Sequence, residues 1–267
     1  MKIRLSFLAP IALAFVFLGG HGALAAEGCA NRPETLGTSR TMIVDTKGGL
    51  FVGRKSYRQT LPLAAKEIVL TFDDGPLGKT TDAVLAALAA ECVKATFFVV
   101  GQQARNHADQ LRRIEAAGHT IGHHSMTHAN MTKISYEAGI AEISEGWRTV
   151  DKILYGAAGA GPRTPFFRFP GFAQTKRLSA WLAGSNVGVF GTDSWGPDWT
   201  PIGRDELFKR ALADIEAQEG GIFLLHDIHA KTAAMLPDLL RALKERGYKV
   251  VHIVPAGSGG ATTSAAM

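Results

Sequence analysis

A chain of 267 residues is long enough for one large α/β domain, or two small ones, with a substantial buried core. Its 29 basic and 24 acidic side chains give a net charge of only +5, and no Lys/Arg block is interleaved with aromatics. That balance argues against nucleic-acid binding.

Residues 1–25 read as a secretory signal peptide. Lys2 and Arg4 precede an apolar run from Leu5 to Leu18, and Ala23-Leu24-Ala25 offers a small-residue cleavage site. The run is short for a membrane span, so the mature form is expected to be exported, periplasmic or secreted, and free of a spanning segment. An uncleaved N-terminal anchor is the alternative. Cleavage takes two basic side chains and no acidic one, lowering the net charge to about +3. The only cysteines are Cys29 and Cys92. An exported chain can join them, pinning the N-terminal extension to a helix–strand corner near Cys92; two reduced thiols are the alternative.

Residues 26–62 are expected to form an arm, irregular to about residue 40, with short strands at Thr41–Asp45 and near Phe51-Val52. A domain over 63–255 follows. The apolar run Ile68 to Phe72 reads as a buried strand that ends in two adjacent carboxylates, Asp73 and Asp74, before a Gly75-Pro76 turn. A helix is predicted over 81–91, a strand over 95–100, and a helix ending near Gly118 with Leu111 and Ile114 inward. His119–Ile121 reads as a short strand. Ile140, Ile143, Trp147, Val150, Ile153 and Leu154 recur at helical spacing, predicting a long amphipathic helix over 135–155. Further strands are expected at 166–169, 187–191, 221–225 and 248–254, with helices near 176–183, 204–217 and 232–246. The Gly/Ser/Ala/Thr tail, 256–267, is expected to be disordered.

Seven or eight alternations of strand and helix predict an α/β fold with a parallel sheet, most simply a closed (β/α)7-8 barrel forming a single domain. In such barrels chemistry gathers at the C-terminal ends of the strands, where this chain places its polar punctuation. An open doubly wound sheet is the alternative, but no Gly-x-Gly-x-x-Gly or Gly-x-x-x-x-Gly-Lys loop is present to hold a nucleotide.

The cluster Gly122-His123-His124-Ser125-Met126-Thr127-His128 carries two histidines four apart, a spacing that puts both on one face of a helical turn. With Asp74 they make two imidazoles and a carboxylate, three ligands for one divalent metal with further positions open. His123, beside them, could offer a competing ligand.

Five motifs in order, Thr71-Phe-Asp-Asp-Gly-Pro76, His124-Ser-Met-Thr-His128, Arg168-Phe-Pro170, Asp198-Trp199 and Leu224-Leu-His226, give the chain its resemblance to the polysaccharide deacetylases of carbohydrate esterase family four. That group includes the nodulation-type chitooligosaccharide deacetylase, and the motifs span residues 67 to about 230. The resemblance implies a distorted (β/α) barrel and metal-dependent removal of N-acetyl groups from an N-acetylglucosamine polymer, chitooligosaccharide or peptidoglycan. Asp74, His124 and His128 would hold the metal, zinc or cobalt by resemblance, with nickel or manganese also permitted by the ligand set. Asp73 would be the general base and His226 the general acid.

By the same resemblance Arg168 pairs with Asp73, while Asp198 steadies Arg168 or His226, with Asp193 a second candidate. Trp199 and Leu224 would seat the acetyl methyl. Where the family usually continues Pro-Tyr-Gly, this chain has Pro170-Gly171-Phe172. The Gly171 N–H would then be the oxyanion donor and Phe172 the aromatic wall. Rival readings are an O-deacetylase of the acetylxylan type and a sugar-binding protein without catalysis. The sequence sets no oligomeric state.

Overall fold

The strands that carry predicted site residues are buried up to their C-terminal lips, where His226 alone is partly exposed, and strand parity fixes which side chains face the chemistry. The computed structural model describes Cys29 and residues 32–257, so the predicted signal segment and all but the start of the predicted tail lie outside the described residues. Ten strands are described: β1 (Thr38–Val44), β2 (Leu50–Val52), β3 (Glu67–Asp73), β4 (Thr96–Val99), β5 (Thr120–His123), β6 (Phe166–Phe167), β7 (Gly188–Phe190), β8 (Ser194–Trp195), β9 (Gly221–His226) and β10 (Lys249–Pro255). Between them run α1 (Gly78–Ala90), α2 (Gly101–Asn106), α3 (Ala108–Ala116), α4 (Tyr136–Tyr155), α5 (Lys176–Gly184), α6 (Arg204–Ala217) and α7 (Ala230–Glu245). No helix among the described residues is long and apolar enough to cross a membrane.

All the strand pairings are parallel. From β3 the ladder runs through β4, β5 and β6 to β7, while on its other edge β3 pairs with β9, which pairs with β8. Because β7 and β8 are consecutive in the chain, separated only by Gly191-Thr192-Asp193, the wall comes back to β3. The fold is the expected α/β barrel, distorted by that break. Strands β10 and β1 extend the sheet from the start of β3, and β2 adds to β7.

Strand period two then sorts the side chains. Along β3, Ile68, Leu70 and Phe72 join the cluster shared with α1, α6 and α7, whereas Val69 joins a second cluster with Phe98, Phe166, Phe190 and Ile222. Thr71 and Asp73 share the parity of Val69 and so point into the barrel. The same rule turns Leu224 and His226 inward on β9, and Gly122 on β5, where an added Cβ would meet the Phe98 ring at 2.7 Å. A third cluster, with Ile143, Trp147, Leu178 and Val189, seats α4 and α5 on the outer wall.

Helix ends follow local chemistry. Ser135 caps α4 by accepting the Ala138 N–H, and Gly156, at φ 76°, closes it in the left-handed conformation. Thr175 caps α5 in the same way. The single helix expected before Gly118 is two, because His107 (φ −128°, ψ 47°) leaves helical geometry between α2 and α3.

Candidate metal centre and active site

Register brings the site together. Asp73 pairs with Phe98 and with His226, Val99 with His123, and His123 with Phe167, so the C-terminal ends of β3, β4, β5, β6 and β9 lie level. Immediately past those ends come Asp74, His124 and Arg168.

Asp74 adopts φ 76°, a left-handed conformation unusual for a residue with a side chain. Its Oδ1 lies 3.5 Å from His124 Nε2 and 3.2 Å from His128 Nε2. Metal–ligand bonds of about 2.0–2.1 Å in a tetrahedron place neighbouring ligand atoms roughly 3.3–3.4 Å apart, so these spacings fit a single small cation. The same Oδ1 is buried and has no hydrogen-bond partner, a costly state for a carboxylate oxygen unless a cation meets it. His124 uses Nδ1 on the Arg168 carbonyl oxygen, at 2.8 Å, which leaves Nε2 with its lone pair toward Asp74. Burial lowers the pKa of His124 despite the nearby carboxylates, favouring the neutral ring a metal requires.

His124 and His128 do not share a helical turn. They sit on an irregular loop in which Ser125 (φ 64°) and His128 (φ 62°) are both left-handed. Gly101 and Gln102, at the start of α2, donate their N–H groups to the Ser125 and Met126 carbonyls, and Ser125 Oγ accepts the His128 N–H. This backbone course, rather than helical periodicity, brings the two rings to 5.0 Å. His123 stays out of the group. Strand parity turns it to the outer face of β5, where burial drives its pKa down to about 3.

Asp73 is buried and its Oδ1 accepts Arg168 Nη1 at 2.7 Å, while Oδ2 lies 3.7 Å from His124 Nε2. Arg168 is 0 % exposed, and its remaining donors go to Thr71 Oγ1 and to the Phe190 and Gly191 carbonyls. Those carbonyls stand where β7 ends, so the guanidinium fills the break in the wall. Opposite, His226 Nδ1 meets Asp198 Oδ1 at 2.7 Å, and Asp198 Oδ2 accepts the His226 N–H and the Thr232 hydroxyl. His226 Nε2 lies 3.9 Å from Asp74 Oδ2. Burial pulls its pKa down, but the Asp198 hydrogen bond and the charges of Asp198, Asp73 and Asp74 outweigh it and push the value up to about 9. Asp193 is occupied elsewhere, accepting the Arg54 and Ile222 N–H groups and the Thr60 hydroxyl.

Residues 61–188 match the family model described as polysaccharide deacetylase. A chitooligosaccharide deacetylase of Rhizobium leguminosarum bv. trifolii is 32% identical over 223 residues, covering 74% of this chain and 97% of that protein. The chain belongs to the polysaccharide deacetylase family. It is also 35% identical over 188 residues to the peptidoglycan-N-acetylglucosamine deacetylase PgdA of Listeria monocytogenes, covering 70% of this chain but only 38% of that longer protein. A solved peptidoglycan deacetylase of Bdellovibrio bacteriovorus, Bd3279, superposes with a TM-score of 0.72 at 36% identity, over 82% of this chain and 59% of that one.

On the rim of this deacetylase-family site, Trp199 stands 49% exposed with its ring edge-on to His226, at 5.7 Å between centroids. Leu224 is buried on the inner face two residues before His226. Pro170–Phe172 forms a 3-10 turn in which Gly171 (φ 54°) and Phe172 (φ 55°) are left-handed, and Phe172 lies 6.4 Å from the Trp195 ring. Trp195 was not among the residues expected from sequence, nor was Lys55, whose Nζ sits 4.2 Å over its ring. His229 was also missed; one ligand atom each from Asp198, His226 and His229 fall within 4.8 Å of one another. Its signal was the His226-x-x-His229 spacing between a strand end and the start of α7.

Proposed function

We propose that the chain is an exported, metal-dependent hydrolase that removes N-acetyl groups from N-acetylglucosamine-containing oligo- or polysaccharide, chitooligosaccharide or peptidoglycan. The observation that carries this reading is the unpartnered Asp74 Oδ1 facing two imidazole nitrogens, with Asp73 and His226 level with it on paired strands. Asp74, His124 and His128 hold the cation, zinc first, with cobalt, nickel or manganese admitted by the same ligands. When bound, it polarises the acetamide carbonyl and lowers the pKa of water.

The chain's own residues do the rest. Asp73, held by Arg168, takes the proton from the attacking water. His226, kept protonated by Asp198, delivers a proton to the departing amine from the other strand. Amines leave poorly as anions, so this donor is needed for an amide more than for an ester. The Gly171 N–H serves the developing oxyanion, and Trp199, Leu224 and Phe172 line the acetyl and sugar side.

Export is supported by the cysteines: Cys29 and Cys92 are both disulfide-bonded and neither is a free thiol, as suits an oxidising compartment.

Acetate release from chitin oligomers, peptidoglycan and acetylxylan, measured side by side after chelation and after zinc is restored, tests the reading. Zinc-dependent release from the first two is expected. Release from acetylxylan alone would make the protein an O-deacetylase, and none from any substrate would make it a sugar binder.

A further inference from the structure

The proposed reaction gives no task to Asp227, a fully buried carboxylate beside the acid histidine. Asp227 follows His226 at the end of β9, and its side chain reaches across to the turn after β3. Oδ1 accepts the Gly75 N–H at 3.1 Å and Oδ2 accepts the Thr81 hydroxyl at 2.5 Å. Thr81 Oγ1 itself accepts the Leu77 N–H at 2.8 Å, which directs the hydroxyl proton to Asp227. One carboxylate thus grips both ends of the Gly75–Leu77 turn, directly at one end and through a hydroxyl at the other. From the far side, the Val100 N–H donates to the Gly75 carbonyl and the Asp74 N–H to the Phe98 carbonyl. The fit is close: a Cβ on Gly75 would come within 2.0 Å of Asp227 Oδ2. Asp74, one residue earlier, sits at a left-handed φ of 76°, a conformation that carries a cost for a residue with a Cβ.

We propose that Asp227 is a positioning residue of the metal centre: with Thr81 it fixes the turn that aims Asp74 Oδ1 at His124 and His128. The inference rests on reading those three residues as metal ligands. It explains why a buried acid stands between two strand ends that carry the chemistry, rather than an apolar side chain of the same size.

Zinc affinity of the full-length protein, measured by chelator competition well below the unfolding temperature and beside circular dichroism and the melting temperature, tests it. Asp227→Asn keeps the size but sets an amide donor against one of its two partners. Thr81→Val removes the hydroxyl and keeps the carboxylate, whereas Thr81→Ser keeps both. We expect Asp227→Asn and Thr81→Val each to weaken zinc binding by about 10–100-fold while the protein stays folded, and Thr81→Ser to bind as the parent does. Folded variants with a lower melting temperature and unchanged zinc affinity would overturn the proposal and leave Asp227 a structural residue. Should Asp227→Asn fail to fold, Thr81→Val decides alone, and parental affinity in it overturns the proposal. Failure of the metal reading itself shows in other proteins: the parent would bind no zinc, or Asp74→Ala would bind it as well as the parent.

Discussion

Arg168 Nη1 donates to Asp73 Oδ1 at 2.7 Å with both side chains shut away from solvent. A buried pair of this kind is weak evidence of net stabilisation, yet removing one partner strands the other charge in the interior. Arg168→Leu would strand Asp73 and also the Phe190 and Gly191 carbonyls. Chemical denaturation should show a loss of about 3–5 kcal/mol, and an unchanged midpoint would mean the pair does not hold the wall.

The two neighbouring carboxylates should separate cleanly. Asp73→Asn keeps the acceptor geometry toward Arg168 and leaves Asp74 untouched, so it should retain metal and lose about 10²–10⁴-fold in turnover. Asp74→Ala should lose the metal. Elemental analysis beside acetate release is the readout, and the opposite pattern would exchange the two roles.

Most of the barrel was legible because β3, β4, β9 and β10 are apolar runs bounded by turn residues. Strand period two puts Thr71 with Asp73 on one face of β3 and Leu224 with His226 on one face of β9; that these are the inner faces comes from Val69 and Ile222, of the same parity, meeting Phe98, Phe166 and Phe190. Three things were not legible. Strand β8 is only Ser194-Trp195, resuming the path of β7 after a break that no Gly-Pro or Asn-Gly pair marks. The His124–His128 loop mimics a helical spacing while its backbone passes twice through left-handed geometry at non-glycine residues. The work of Asp227 depends on a contact with Gly75, 152 positions away, which no local pattern announces.

Proton donation by His226 predicts an alkaline limb in the pH–rate profile, with turnover falling as the ring loses its proton. Burial lowers its pKa, but the Asp198 hydrogen bond and the charges of Asp198, Asp73 and Asp74 raise it to about 9. A bound cation offsets the Asp74 charge, so the limb should fall below that value in the loaded enzyme. Asp198→Asn removes the main support and should move the limb further toward neutrality, whereas His226→Ala should abolish it. A limb that ignores both substitutions would place the donor elsewhere.

Acid stability should depend on Glu67 at the start of β3. Its carboxylate takes two hydrogen bonds from Arg40, each 2.7 Å, and one from the Ala64 N–H. Chiefly through Arg40, and against burial, its pKa falls to about 2. A group depressed in the folded state stabilises above its ordinary pKa, and that contribution fades as pH drops through the folded value. Glu67→Gln should therefore cost about 1 kcal/mol at neutral pH, a figure reduced for the exposure of Arg40, and the gap should close between pH 4.5 and 2. A difference that persists at the acid end would trace to packing instead.

Of the chain's four tryptophans Trp199 is the most exposed, at 49%, and it stands against the His226 ring. A sugar settling there would dehydrate that indole while Trp147 stays buried, and the emission of Trp199 would then report ligand occupancy. Emission titrations with inert oligosaccharides can thus rank recognition of competing polymers before a single acetyl group is cut.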